Sequence, residues 1–145
     1  MSRLSLEAFA DRAMELFSQL SRGMIRHETN YLSKGVITLP QVWVMRYLSR
    51  QRECSMRELA DYMKMGFSSV TGMVDRLVKQ GLANRRRTEK DRRLVYVDLT
   101  AKGRKIVKEI LGERRETTLS LFESLSAEER LTYLCILEKL VKKLS

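Results

Sequence analysis

Between Ser55 and Leu99 the chain is punctuated in a way that leaves few folds open. Ser55-Met56-Arg57-Glu58 has the spacing of a capping box, in which a serine hydroxyl and a glutamate three residues on satisfy each other's backbone N–H groups. It predicts a short helix that packs through Leu59, Ala60 and Met63. Gly66 interrupts the pattern. A second helix is predicted from about Phe67 to Gln80, with Phe67, Val70, Val74, Leu77 and Val78 as its apolar positions. Gly81 is the residue type that ends such a helix, because it alone adopts the left-handed conformation without strain. Leu82–Arg87 and Leu94–Leu99 follow, the latter with the strand-favouring Val95, Tyr96 and Val97. The polar stretch Thr88–Arg93 between them makes the pair a β-hairpin.

Two short helices meeting near Met65-Gly66, followed at once by a hairpin, are the layout of a winged helix-turn-helix. The helical period sorts the second helix into faces. Phe67, Val70, Val74 and Leu77 fall on one side; Ser68, Ser69, Thr71, Gly72, Arg76 and Lys79 fall on the other or along its borders. Small side chains let a backbone approach a groove floor, hydroxyls and a helix N-terminus bond bases or phosphates, and Arg76 suits a phosphate or a guanine edge. Asp75 also faces outward and would repel phosphate; Lys79, four residues on, is its expected partner. The hairpin reads N-R-R-R-T-E-K-D-R-R from Asn84 to Arg93. Arg85, Arg86, Arg87, Lys90, Arg92 and Arg93, less Glu89 and Asp91, leave +4 in ten residues. Arginine at such a tip suits a narrow minor groove, where the potential is most negative, and Asp91 is placed to orient Arg93. These features point to double-stranded DNA as the partner. A non-specific architectural DNA binder would share the basic wing and is the alternative reading.

The rest of the chain is helical in pattern. Leu6, Phe9, Ala13, Leu16 and Leu20 predict a first helix from about Leu6 to Leu32, with a loop around Tyr31–Val36. Thr38-Leu39-Pro40-Gln41 is another capping box, with proline tolerated in the first turn. It opens a helix whose Val42, Met45, Tyr47 and Leu48 point inward and which ends in a polar break at Arg50–Cys54. Thr100 caps a long helix from about Ala101 to Ser124, and Ser126-Ala127-Glu128-Glu129 opens a last helix to about Leu144. The fold class is therefore mainly α with a small β-hairpin wing. Residues 37–100 form the winged helix-turn-helix lobe; residues 1–36 and 101–145 form a helical dimerisation region. The last two helices carry more apolar surface than a small lobe can cover, and pairing them between two chains in a homodimer would bury it. Two-fold symmetry would also space the two recognition helices by about one DNA turn, roughly 34 Å.

Composition agrees. The chain has 145 residues and a net charge of +10, which suggests a polyanionic partner. No apolar run approaches the roughly 18 residues needed to span a bilayer, so no membrane is expected. Arg3, Glu7, Asp11 and Arg12 interrupt the N-terminus, so it does not read as a signal peptide, and a cytoplasmic location follows. Cys54 and Cys135 sit in no CxxC motif and read as reduced thiols. With a single histidine and no GxGxxG, P-loop or GxSxG, neither a metal site, a cofactor nor catalysis is expected.

Several segments together resemble the MarR family of winged helix-turn-helix regulators. Ile37-Thr38-Leu39-Pro40-Gln41 is similar to the family's L-T-x-x-Q. Glu58-Leu59-Ala60, Val70-Thr71, Val74-Asp75-Arg76-Leu77 and Gly81-Leu82 follow its order and spacing. Asp91-Arg92-Arg93 matches D-x-R in the wing, and Leu99-Thr100-Ala101-Lys102-Gly103 matches L-T-x-x-G. The resemblance implies an obligate, triangular homodimer on a pseudo-palindromic operator. It makes Arg93 the minor-groove arginine and Asp91 its orienting partner, and it puts Ser68, Ser69, Thr71 and Arg76 on recognition-helix positions. It implies repression, relieved in many members by a small aromatic or phenolic ligand held between the dimer and DNA-binding lobes. Here that region would draw on His27, Tyr31, Trp43, Arg46 and Tyr47. Members that sense oxidants carry a cysteine in the first helix, and this chain has none there.

Overall fold

The computed structural model describes residues 4–27, 30–91 and 93–144. In chain order its elements are α1 (Leu6–His27), α2 (Asn30–Ser33), α3 (Leu39–Arg50), β1 (Cys54–Ser55), α4 (Met56–Met63), α5 (Phe67–Lys79), β2 (Ala83–Arg87), β3 (Val95–Leu99), α6 (Ala101–Glu123) and α7 (Ala127–Leu144). Two compact units emerge. One comprises residues 28–112, and the other residues 1–27 with 113–145.

The 28–112 unit holds the core. Val42, Val44, Met45 and Leu48 of α3, Leu59 of α4, Val70, Val74 and Leu77 of α5, and Val97 of β3 are fully buried there. All three expected capping boxes form. Thr38 and Gln41 close a capping box on α3, and Ser55 and Glu58 close one on α4. Ser126 and Glu129 do the same ahead of α7, where the Ser126 N–H donates to Glu129 Oε2 at 2.7 Å. After α5, Gly81 takes φ +71°. The Leu82 N–H then donates to the Leu77 carbonyl at 2.8 Å and the Gly81 N–H to that of Val78 at 2.9 Å, a Schellman ending.

The sheet has three antiparallel strands in the order β1-β3-β2. β1 joins Cys54, the last residue of the expected polar break, to Ser55, the expected cap of the next helix. Two residues are too short to carry an alternation, and only pairing with β3 reveals them as a strand: Cys54 faces Val97 and Ser55 faces Tyr96. β2 pairs with β3 from Ala83↔Leu99 to Arg87↔Val95, the expected hairpin.

α6 enters this unit at very close range. Thr100 Oγ1 donates to the Gly81 carbonyl at 2.7 Å and accepts the Gly103 N–H at 3.0 Å. A Cβ on Gly103 would lie 2.0 Å from the Leu82 carbonyl oxygen, so only glycine permits this approach. Ile106, Val107 and Ile110 of α6 then join the lobe's core. The compact unit thus runs on to Gly112, past the expected boundary at residue 100, because the apolar stripe of α6's first turns is spent here.

In the other unit, α1, the end of α6 and α7 leave much apolar surface open. α7 has no buried residue among those described. Leu20 and Met24 of α1, Leu121 and Phe122 of α6, and Leu134 and Leu137 of α7 line a largely apolar cleft of about 600 Å³. Phe9, Leu16 and Phe17 of α1, and Leu131, Ile136 and Val141 of α7, are also exposed.

Two sequence expectations need correction. Phe67, expected on the buried face of its helix, is 57% exposed, since at the first helical position the neighbouring turn that would cover it is absent. Val78, expected among the same apolar positions, is likewise only partly covered, at 36% exposure. The first helix as described ends at His27, and the short α2 follows from Asn30; positions 28 and 29 lie outside the described residues.

Candidate nucleic-acid interface

α4 and α5 are joined through Lys64, which takes the left-handed conformation at φ 49°, then Met65 and Gly66. α5 buries Val70, Val74 and Leu77 against the core. The opposite face presents Ser68, Ser69, Gly72, Arg76 and Lys79, all exposed. A Cβ on Gly72 would meet nothing within 4 Å, so the backbone is bare at the centre of this face. Thr71 behaves differently. Its hydroxyl oxygen is buried and has no hydrogen-bond partner among the described residues, so it is not presented outward with the two serines.

The hairpin lies beside α5 and is tied to it by charge. Asp75 does not pair with Lys79. Its carboxylate accepts from Arg85 Nη1 of β2 at 2.5 Å. Sequence spacing favours the i, i+4 partner, but the fold brings a guanidinium from ten residues away into better reach. Arg86, expected at the DNA interface, is ion-paired with Glu53, the residue before β1. Arg87 and Arg93 are exposed. Arg92 lies outside the described residues. Asp91 does organise the tip, through the main chain: its Oδ1 accepts the Arg93 N–H at 2.9 Å, and Thr88 Oγ1 donates to the Asp91 carbonyl at 3.0 Å while accepting the Asp91 N–H at 3.2 Å. These bonds fix the turn from which the Arg93 side chain projects.

Charge divides unevenly between the two units. Residues 28–112 hold 18 of the 28 Lys and Arg and 9 of the 18 Asp and Glu, a net +9 of the chain's +10. The surplus of cations therefore belongs to the unit that carries α5 and the hairpin.

Of the residues expected to hold a ligand, Tyr31, Trp43, Arg46 and Tyr47 belong to this unit. Trp43 is 51% exposed. Arg46 is also exposed, and Tyr31 is half-buried against the core. Tyr47 stacks on Tyr62 of α4 with ring centroids 4.0 Å apart. Burial, with smaller contributions from Cys54, Glu58 and Tyr62, raises the Tyr47 pKa above its ordinary value. The His27 side chain lies outside the described residues. Two clefts of this unit, one of about 360 Å³ along Ser49, Arg104, Val107, Lys108 and Leu111 and one of about 200 Å³ along Arg85, Arg86, Arg87 and Val95, use none of the five. Cys54 is buried in the sheet, and burial, reinforced by Glu58, pushes its thiol up to about 11. It holds a proton at neutral pH and is a packing group. Cys135 is exposed on α7.

The MarR family profile matches residues 37–95. The chain is 32% identical over 113 residues to the uncharacterized HTH-type transcriptional regulator YsmB of Bacillus subtilis, covering 78% of this chain and 75% of that protein. The chain belongs to the MarR family. It is also 29% identical over 140 residues to the HTH-type transcriptional repressor MdtR of Bacillus subtilis, covering 97% of this chain and 83% of MdtR. Among solved structures, a MarR family protein from Bacillus stearothermophilus superposes with a TM-score of 0.70 at 26% identity, covering 97% of this chain and 98% of its own. The protein is thus a transcriptional regulator of winged helix-turn-helix fold, in a family of regulators rather than enzymes.

Proposed function

We propose that this regulator works in the cytoplasm as a homodimeric, sequence-specific repressor on a pseudo-palindromic operator in double-stranded DNA. The observation that carries the reading is the exposed face of α5, with Ser68, Ser69, Gly72, Arg76 and Lys79, placed beside an arginine hairpin in the unit that holds +9 of the net charge. In this reading α5 enters the major groove. The serine hydroxyls and the helix N-terminus meet bases or phosphates, Gly72 allows close approach, and Arg76 and Lys79 bond phosphates or a guanine edge. Arg93, from the turn that Asp91 organises, enters the minor groove, with Arg87 on the flanking backbone; Arg92, its neighbour in sequence, belongs to the same basic tip. The repressor assignment takes its support from MdtR, which carries that description. Release by a small aromatic or phenolic effector belongs to the same reading. It rests on the family resemblance and on the aromatic and cationic side chains of Tyr31, Trp43, Arg46 and Tyr47.

Selection of bound sequences from a random DNA pool tests specificity, palindromy and half-site spacing together. The expected result is an inverted repeat with half-sites one helical turn apart. Enrichment of no sequence, with affinity governed only by salt, would identify a non-specific architectural binder instead. On the selected operator, Arg93→Ala is expected to weaken binding by about 1–3 kcal/mol, measured by fluorescence anisotropy; unchanged affinity removes Arg93 from the interface.

A further inference from the structure

Two ion pairs hold the hairpin, one on each face of the sheet. Side chains alternate along a strand. Ala83, Arg85, Val97, Leu99 and Cys54 therefore share the face turned to the core, where Val97 is fully buried and Ala83, Leu99 and Cys54 nearly so. Arg85, on that face, meets Asp75 of α5. Arg86 is on the other face, in register with Tyr96 of β3, which in turn faces Ser55 of β1. From there Arg86 reaches past the middle strand to Glu53, which leads into β1. The contact joins the two outer strands directly.

That tie answers a weakness in the sheet. β1 is fastened to β3 through only two register pairs, and β2 to β3 through five. β1 leads without a break into α4, the first helix of the helix-turn-helix, whose cap is Ser55. A link from Glu53 to Arg86 thus connects the start of α4 to the strand that carries the basic tip. The Asp75–Arg85 pair does the same for α5 on the opposite face.

We propose that Glu53 is a positioning residue for DNA readout: acting through Arg86, it holds β2, and the tip bearing Arg93, at a set angle to the recognition helix. The inference rests on the DNA-binding reading above. Arg86 then serves as a brace, and its neutralisation by Glu53 removes it from the cations that meet phosphate. Both side chains are well exposed, at 61% and 41%, and exposed pairs add little to folding stability. The effect falls on geometry. A hairpin free to swing keeps every charge and still binds DNA of any sequence, but it no longer engages the minor groove at the moment α5 seats in the major groove.

The test uses the full-length protein, the operator chosen by the pool selection, and a scrambled duplex of equal length at one salt concentration. Glu53→Arg, Arg86→Glu and the double swap are compared by the ratio of operator to scrambled affinity. Changes in net charge act through the sequence-independent phosphate attraction and move both affinities together, so they largely cancel in the ratio. Each single variant is expected to lower the ratio by about three- to fivefold, the span open to an exposed pair. The double swap, which rebuilds the pair with the wild-type net charge, is expected to return within about twofold of wild type. Thermal midpoints, expected to be nearly the same for all four proteins, separate this loss from unfolding. A double swap no better than the worse single variant, or single variants with the wild-type ratio, would overturn the role of Glu53 alone. A wild type without operator preference would overturn the DNA-binding reading, and the inference with it.

Discussion

Gly72 separates two demands that are usually entangled in a binding helix. In the middle of α5 a glycine costs helix stability, roughly 0.5–1 kcal/mol against alanine. Nothing lies within 4 Å of where its Cβ would be, so packing in the free protein does not require it. A bare backbone at the centre of an otherwise polar and cationic face makes sense if a groove floor is to come close. Gly72→Leu is therefore expected to raise thermal stability, by about 0.5–1 kcal/mol, while lowering operator affinity by about tenfold or more, near 1.4 kcal/mol. Calorimetry and anisotropy on the same preparation check the opposed signs. A variant that is both more stable and equally tight in binding would place the groove elsewhere. At this scale the sequence was informative about type and poor about partners. The helical period picked out Ser68, Ser69, Gly72, Arg76 and Lys79 correctly as exposed. It could not foresee that Asp75 takes Arg85 and Arg86 takes Glu53, because such pairs depend on how separate elements meet. Nor could it see that Thr71, on the border between faces, has its hydroxyl turned in.

Among the elements, the helix starts were the most legible, because a capping box is a local chemical device whose two partners are three residues apart. The box at Ser55 and Glu58 has a measurable pH signature. The Glu58 carboxylate accepts the Ser55 N–H at 2.7 Å, and this bond to the backbone, with one to the Ser55 side chain, holds its pKa below the ordinary carboxylate value. A carboxylate with a lowered folded-state pKa adds stability at pH above its unfolded value and loses that contribution as pH falls through the folded one. Wild type is thus expected to exceed Glu58→Gln in stability at neutral pH. The gap should close as acid takes the solution below the ordinary glutamate range, as followed by denaturant titration across pH. A gap independent of pH would mean the charge plays no part in the cap. The junction of β3 with α6 is legible in another way. Leu99-Thr100-Ala101-Lys102-Gly103 could be recognised as a pattern, but the reason for its glycine is a backbone contact that only the fold discloses. A methyl on Gly103 would meet the Leu82 carbonyl oxygen at 2.0 Å, and a backbone atom cannot swing aside as a flexible side chain can. Gly103→Ala is expected to cost about 1–3 kcal/mol, the usual range for overpacking, read as a lowered urea midpoint; an unchanged midpoint would show that α6 moves away at no expense. β1 stayed hidden for the converse reason: a two-residue strand has no periodicity of its own.

Across the whole molecule, charge and apolar surface are separated between the two units. Nearly all of the net charge lies in residues 28–112, while the unit of residues 1–27 and 113–145 has a net charge of +1 and an open apolar face. The division of labour fits one unit meeting DNA and the other meeting a second copy of itself. Leu134 tests the second half of that statement. It lines the cleft of about 600 Å³ and is 54% exposed in the single chain. If water covered it in solution, Leu134→Arg would change stability by no more than about 0.5 kcal/mol, as surface substitutions do, and would leave the molecular mass untouched. If a partner chain covers it, an arginine there must be desolvated without a counter-charge, and the dimer loses several kcal/mol. The expected outcome is a shift from dimer to monomer in sedimentation equilibrium at micromolar concentration. Operator binding should fall much further than binding to scrambled DNA. Each monomer keeps the charges that set its non-specific affinity but gives up the second recognition helix, and with it the gain from engaging both half-sites at once. A variant that remains dimeric, or a wild type that sediments as a monomer, would mean that the apolar face of α7 has some other occupant.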